Sequence, residues 1–225
     1  LSAGTNNGDG SWTVARSALA GLTITPPANS DADFTLHLSV TSTDSSGSVS
    51  TTTADLPVTV KAVSDAPTLS AANVSGNEDA TIALDIRAAL TDTDGSETLS
   101  AVTISGMPNG ARLSAGADNG NGSWTVNAAQ LEGLTITPPA DSSDDFTLTL
   151  AVTSQEANGG SITSTTQMQV TLAGVADAPT LKVSASSGDE DSAIALPIES
   201  ALTDSDGSES LIVTISGVPD GATLS

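Results

Sequence analysis

Cysteine is absent from the 225-residue chain. That excludes disulfides, thiolate zinc sites and cysteine nucleophiles. With one histidine, His37, any histidine-based catalysis or metal binding would rest on a single residue. Aromatic residues are limited to two Trp and two Phe, so burial must come from Val, Leu and Ile. Cations are scarce too: 5 Lys+Arg against 27 Asp+Glu give a net charge of −22. Phosphate binding needs clustered Lys and Arg, so nucleic acid is excluded as a partner, and anionic membrane surfaces with it. No apolar run approaches the ~18 residues of a spanning segment, so membrane insertion is not expected. The opening Leu1-Ser2-Ala3-Gly4 does not read as a signal peptide.

Few aromatics and a large net charge are marks of disorder. Yet only 14% of residues are charged, and much of the remainder is Thr, Ser, Ala, Val, Leu and Ile, the palette of a β-protein. An acidic β-protein needs neutralising charge, for which divalent cations are the first candidates.

The chain repeats itself. Ser11-Trp12-Thr13-Val14 returns as Ser123-Trp124-Thr125-Val126, a period of 112 residues. Gly21-Leu22-Thr23-Ile24-Thr25-Pro26-Pro27 returns at Gly133 to Pro139, and Asp65-Ala66-Pro67-Thr68-Leu69 at Asp177 to Leu181. Leu90 to Glu97 returns as Leu202 to Glu209; a one-residue deletion then aligns Ser105-Gly106 with Ser216-Gly217. A period of this length is too long for a solenoid unit and matches one Ig-like sandwich of ~100 residues. With the Asp-Ala-Pro segments as joints, residues 66–177 form one complete module. Residues 1–65 are the C-terminal part of a module, and 178–225 the N-terminal part of the next. Leu224-Ser225 repeats Leu1-Ser2, so the two parts are complementary.

Period-2 alternation marks half-buried strands. Phe146, Leu148, Leu150 and Val152 share one face, and Met168, Val170 and Leu172 another. The pattern predicts strands at about 68–74 (A), 81–86 (B), 98–105 (C), 111–115 (C′), 123–127 (D), 132–137 (E), 145–154 (F) and 162–173 (G). Arg87 to Thr91 is expected as a short helical turn. One apolar and one Thr-rich face per strand predicts an all-β fold of Ig-like, cadherin-like antiparallel β-sandwich modules in tandem. Residues 1–65 should supply strands D to G and 178–225 strands A to C, at opposite ends of the central module. For a ten-residue strand length that is ~35 Å apart. The halves are therefore expected to fray or to complement between chains, giving head-to-tail self-association.

In a seven-strand sandwich the B–C and F–G loops lie at one end and the A–B and E–F loops at the other. The B–C loop carries Asp92, Asp94 and Glu97; the A–B loop Glu78 and Asp79; the E–F loop Asp141, Asp144 and Asp145. The exit linker carries Asp177 and the next B–C loop Asp204, Asp206 and Glu209, while Asp65 occupies the preceding linker. The base of one module, the linker and the top of the next thus present carboxylates to one joint. Two carboxylates ~5 Å apart repel by ~3 kcal/mol at an effective dielectric of ~20. Hard oxygen donors in such numbers suit Ca²⁺, which would turn repulsion into stiffness. Asp92 to Glu97 is not an EF-hand, since the 12-residue loop is missing. Asp31, Asp55 and Asp189 read as ordinary solvated loop acids.

Asp65-Ala-Pro-Thr, Glu78-Asp79, Asp92-x-Asp94-Gly-Ser-Glu97, Gly106-Met-Pro-Asn-Gly-Ala, Gly122-Ser-Trp-Thr and Leu134-Thr-Ile-Thr-Pro-Pro run through the whole chain. As a set they resemble the tandem Ig-like or cadherin-like repeats of giant bacterial RTX adhesins exported by type I secretion. The resemblance implies a structural extender module on the outside of the bacterial cell. Such modules are stacked against neighbours of the same chain, stiffened by Ca²⁺ and used in adhesion or biofilm formation. The placement of Glu78, Asp92 and Asp94 relative to Asp65 is also similar to the inter-domain calcium ligands of cadherins. The Gly-Gly-x-Gly-x-Asp nonapeptides of RTX calcium rolls are absent, and the F–G loop carries Asp44 in one copy and Glu156 in the other.

Trp12 and Trp124 alternate with Val14 and Val126 and are expected in the core rather than on a sugar. His37 aligns with Thr149, against a shared catalytic role. The loops from Gly4 to Gly10 and Gly116 to Gly122 have the composition of a cation loop and of a tight hairpin; the hairpin is favoured. No nucleophile–base pair is visible, so the chain is not expected to be an enzyme. The alternative to an extender is a glycan- or protein-binding Ig-like module of an extracellular protein.

Overall fold

The computed structural model describes residues 1–157, 159–204 and 206–224. Asn158 of the predicted F–G loop, Ser205 of the second acidic element and Ser225 lie outside the described residues. The fold is all-β. In chain order the first strands are β1 Thr5–Asn6, β2 Trp12–Thr13, β3 Phe34–Thr43, β4 Val49–Val58, β5 Thr68–Ala71 and β6 Val74–Asn77. There follow β7 Ile82–Ala83, β8 Ile86–Ala89, β9 Glu97–Leu99, β10 Val102–Ser105, β11 Arg112–Leu113 and β12 Ala117–Asp118. The last are β13 Ser123–Val126, β14 Thr135–Thr137, β15 Phe146–Glu156, β16 Ser161–Ala173, β17 Thr180–Val183 and β18 Ile198–Ala201. No helix among the described residues is long and apolar enough to cross a membrane.

Two compact units are present. One comprises Leu1–Pro67, Leu90–Leu99 and Thr153–Thr163. It contains the β1–β2 hairpin and the longer β3–β4 hairpin, in register from Phe34 opposite Val58 to Thr43 opposite Val49. Asp44 caps the turn of that hairpin: its Oδ1 accepts from the Ser46 and Ser48 amides. In the same unit β9 pairs with the end of β15, Leu99 opposite Ser154 and Glu97 opposite Glu156.

The other unit comprises Thr68–Ala89, Ser100–Val152 and residues 164–224. Strand order β12-β13-β10-β15-β16-β6 forms one layer and β11-β14-β7 a second, with β5–β8 beside them. Val102, Ile104, Val126, Leu148, Leu150, Val152, Met168 and Val170 from the larger layer are essentially fully buried, and Ile136 and Leu134 with them. Burial of each such side chain contributes about 1.5–3 kcal/mol, which is how a core forms without large aromatics. Gly76 marks a close approach, since a Cβ there would stand 2.5 Å from Cγ1 of Ile82.

Among the described residues the antiparallel expectation holds for the ladders except one: β6 runs parallel to β16, Val74 opposite Val170. Predicted strand A is broken for the same reason. Its first half pairs with β8, and after Ala72 the chain crosses to β16. The Asn73 side chain bridges the crossing by accepting from the Gln169 amide at 2.9 Å. Predicted strand C also divides, into β9 and β10. The helical turn expected at Arg87 to Thr91 is not there. Residues Ile86–Ala89 are β8, with Ile86 buried and Ala88 opposite Leu69. Short helical turns occur instead at Arg16–Ala18 and Ala128–Gln130. The glycine-rich loops are hairpins, as favoured from sequence: Asn6 faces Trp12 and Asp118 faces Trp124. The tryptophans depart from expectation. Trp124 is half-buried and Trp12 is 38% exposed, because each lies on a short hairpin at the margin of its layer.

Candidate metal site

Asp-x-Asp-Gly-Ser-Glu folds into a compact acidic turn by a chain of local bonds. Asp92 Oδ1 accepts from the Asp94 amide at 2.9 Å, and Asp94 Oδ1 from the Ser96 amide at 2.8 Å. Gly95, at φ 102°, supplies the left-handed step that closes the turn. Asp94 Oδ2 accepts from the Asp31 amide at 3.0 Å. The Ser96 bonds, then that of Asp31, hold the Asp94 carboxyl below its ordinary value of 3.8. Glu97 reaches back to the linker, where its Oε1 accepts from the Asp65 amide at 2.6 Å. The Asp65 carbonyl is in turn bonded by the Ser154 hydroxyl.

Alternation along β15 places Ser154 and Glu156 on the face that buries Leu148, Leu150 and Val152. The inward face therefore changes from apolar to acidic at the end of the strand. Glu156 is only 2% exposed and sits directly across from buried Glu97. Like charges in direct cross-strand register oppose pairing. Glu156 Oε1 accepts from the Ser96 hydroxyl at 3.3 Å, while Oε2 of both glutamates is buried with no donor. Burial raises the Glu156 pKa above 4.5, against the Ser96 bond and with help from Glu97, Asp92 and Asp94.

The second cluster repeats the first 112 residues on. Asp204 Oδ1 accepts from the Asp206 amide at 2.8 Å, Asp206 Oδ1 from the Ser208 amide at 2.7 Å, and Glu209 Oε1 from the Asp177 amide. Ser143 takes the place of Asp31, donating its amide at 2.9 Å and its hydroxyl at 2.7 Å to Asp206 Oδ2. Those Ser143 bonds, then those of Ser208, hold Asp206 far below the ordinary carboxylate range. Here Glu78 joins. It is 1% exposed, its Oε1 accepts from the Val175 amide at 2.6 Å, and its Oε2 is buried without a donor. The Val175 bond lowers the Glu78 pKa, but burial and the charges of Asp204, Asp206 and Asp79 outweigh it and raise it above 4.5. Asp79 and Asp141, at φ 58° and 51°, meet through an Asp141 amide bond to Asp79 Oδ1 at 3.1 Å. Burial first, then Asp79, Asp177, Asp204 and Asp206, raise the Asp141 pKa above 3.8.

Glu78, Asp204 and Asp206 offer oxygens within 4.8 Å of one another, and so do Asp79, Asp141 and Asp177. Asp177 Oδ2 and Glu209 Oε2 add two more buried oxygens without donors. Of the residues singled out from sequence, Asp65, Asp92, Asp94 and Glu97 gather in one cluster, and Glu78, Asp79, Asp141, Asp177, Asp204, Asp206 and Glu209 in the other. Asp145 does different work: its Oδ1 accepts from the Leu172 amide at 2.8 Å. Asp144 is exposed and belongs to neither cluster. From sequence Glu156 is only the acid of the F–G loop; its even spacing from Leu148 to Val152 is the signal that marks it as inward-facing. Ser143 and Ser154 enter only through long-range placement.

Buried ionised oxygens without donors are costly, and two remedies exist: protonation or a cation. The donor sets are all oxygen and contain no nitrogen or sulfur, which suits a hard, flexible-geometry ion over zinc or copper. Compared with protein-family models and with curated proteins, the chain matches none.

Proposed function

We propose that the chain is a structural extender of a secreted, cell-surface adhesin of the RTX kind. In this reading the modules are those of the 112-residue repeat, 1–65, 66–177 and 178–225, and the acidic clusters hold Ca²⁺ where neighbouring modules of one chain meet. One observation carries the reading: each Asp-Ala-Pro linker is tied to a glutamate, Glu97 or Glu209, that keeps a buried oxygen without a donor. Asp65, Asp92, Asp94, Glu97 and Glu156 would hold the ion at the first linker. Glu78, Asp79, Asp141, Asp177, Asp204, Asp206 and Glu209 would do so at the second. A bound Ca²⁺ supplies positive charge and six to eight coordination positions. The chain's own part is to fix the carboxylates by the amide bonds described and to tie them to the linker carbonyl and amide. Extracellular modules bind Ca²⁺ at about 10⁻⁴–10⁻³ M, in keeping with a surface location. The role is mechanical rather than enzymatic.

Calorimetric titration with CaCl₂ and with MgCl₂ tests this. Saturable Ca²⁺ uptake that Mg²⁺ does not match is expected, together with a longer particle in small-angle scattering. Absence of Ca²⁺ uptake at millimolar concentrations would sink the reading.

A second reading has one observation behind it. Half-buried Trp124 lines a cavity of about 220 Å³ with Met107, Asn109 and Asp118. An aromatic wall beside polar groups fits a sugar ring. Glycan binding through this cavity would be lost in Trp124→Ala, whereas a pure extender would keep its Ca²⁺ response unchanged.

A further inference from the structure

One charge in the central module is not explained by the fold. The β12–β13 hairpin repeats the β1–β2 hairpin. In each, two Asx side chains hold the turn. At the first position Asp118 Oδ1 accepts from the Gly120 amide at 2.8 Å, and its repeat equivalent Asn6 accepts from the Gly8 amide at 2.9 Å. At the second, Asn121 Oδ1 accepts from the Ser123 hydroxyl at 2.6 Å, and its equivalent Asp9 from the Ser11 hydroxyl at 2.7 Å. Amide and carboxylate do the same work at both positions, so the turn does not decide where the charge sits. In the central module it sits beside the tryptophan. Asp118 is directly opposite Trp124, and Trp124 is opposite Ile104. Opposed residues share a face. An exposed carboxylate, a half-buried indole and the buried core therefore lie in one row, running from solvent inward.

The cavity of about 220 Å³ lies on this row. Trp124, Met107, Pro108 and Ala111 give it apolar walls, and Asp118 and Asn109 its polar groups. Those walls are tied together. The Met107 amide donates to the Gly122 carbonyl at 3.1 Å, and the Ala111 amide to the Pro108 carbonyl at 3.1 Å. The Asn119 side-chain amide donates to the Ser123 and Thr125 hydroxyls at 3.0 and 3.2 Å. Drug-sized sites measure ~300–1,000 Å³, so this smaller one takes a single ring. We propose that the ring is that of an amino sugar, its apolar face stacked on Trp124 and its ammonium group paired with Asp118. The proposal rests on the reading of this cavity as a sugar site and names the class of sugar. A carboxylate and an ammonium make a charge-assisted hydrogen bond, stronger than one between neutral groups. The net charge of −22 draws cationic saccharides toward the chain and repels acidic ones. Neutral sugars gain the indole stacking alone.

The test is a calorimetric titration of the full 225-residue chain at about pH 6, where a primary amine is protonated. Salt at about 0.15 M screens loose attraction to other carboxylates. The probes are a glucosamine tetrasaccharide, the same chain N-acetylated, and cellotetraose. The glucosamine chain should bind at least about tenfold more tightly than the other two, the scale of one hydrogen bond to a charged group. It should also shift the Trp124 indole N–H resonance. Asp118→Asn, which keeps the turn as Asn6 does, should bring the three affinities together. Glu132→Gln removes an exposed charge elsewhere and should leave the preference intact. Trp124→Ala should lose all three sugars. Equal affinities in the native chain would overturn the amino-sugar assignment and leave the sugar reading standing. No binding of any probe would remove both. Glucosamine binding that persists in Trp124→Ala, or a preference that survives in Asp118→Asn, would show diffuse attraction to an acidic surface and overturn the proposal.

Discussion

Glu97 and Glu156 face each other across paired strands, and each keeps a buried oxygen without a donor. In chelator such a pair opposes folding; with a cation it becomes a ligand set. Glu156→Gln is therefore expected to raise the melting temperature in EGTA and to weaken Ca²⁺ binding at least about tenfold, the scale on which outer partners alone alter metal affinity. Differential scanning calorimetry and titration read the two effects separately. A fall in stability in both media would mean that Glu156 is structural and no ligand. The pH dependence follows from the same residues. Glu78, Glu156 and Asp141 have folded pKa values raised above 4.5, 4.5 and 3.8. The folded state thus takes up their protons more readily than the unfolded chain. Their contribution is full below those ordinary values and is lost as pH rises through the raised ones. Asp94 and Asp206 are shifted down and act oppositely, losing their contribution only as pH falls below 3.8. In EGTA, stability should accordingly rise as pH is lowered toward about 4.5 and turn over below about 4. A melting temperature that falls steadily from pH 7 downward in EGTA would contradict this assignment.

At the scale of the element, a repeat allows one substitution to be made twice. Leu150→Ala in β15 empties a fully buried position and should cost about 2–5 kcal/mol. Leu38→Ala, at the equivalent place in the exposed β3–β4 hairpin, should cost under about 1 kcal/mol. Urea unfolding of the two variants checks the difference; equal costs would show that the hairpin is already covered. Elements with strong alternation were legible in the sequence. The predicted strands 145–154 and 162–173 correspond to Phe146–Glu156 and Ser161–Ala173. The failures have a common cause in long-range pairing. Ala88 and Ala89 favour a helical turn locally, but pairing with β5 draws them into a strand. Strand A reads as one segment because no local pattern announces its change of partner at Ala72 and Asn73. The acidic turn was readable from Asp-x-Asp-Gly-Ser-Glu, since its bonds span two residues. Glu156 was not, because its opposition to Glu97 depends on a register set 59 residues apart in the chain.

At the scale of the whole molecule, the charge of −22 is not spread evenly. Each of the two units holds an acidic cluster built from the same sequence element, with the same amide bonds to its linker. With neither disulfides nor a large aromatic core, bound ions would be the staples available to such a chain. An ion present at ~100 times its dissociation constant stabilises the folded form by ~2.7 kcal/mol. For a chain of this size each kcal/mol is worth about 2–4 °C, so one site should move the transition by about 5–10 °C. The most direct measurement is thermal unfolding followed by calorimetry in about 10 mM CaCl₂, ~100 times a dissociation constant of ~10⁻⁴ M, and in EGTA at equal ionic strength. The proposal predicts a rise of at least about 5 °C in calcium, with magnesium giving less. Superimposable transitions in calcium and in EGTA would contradict it.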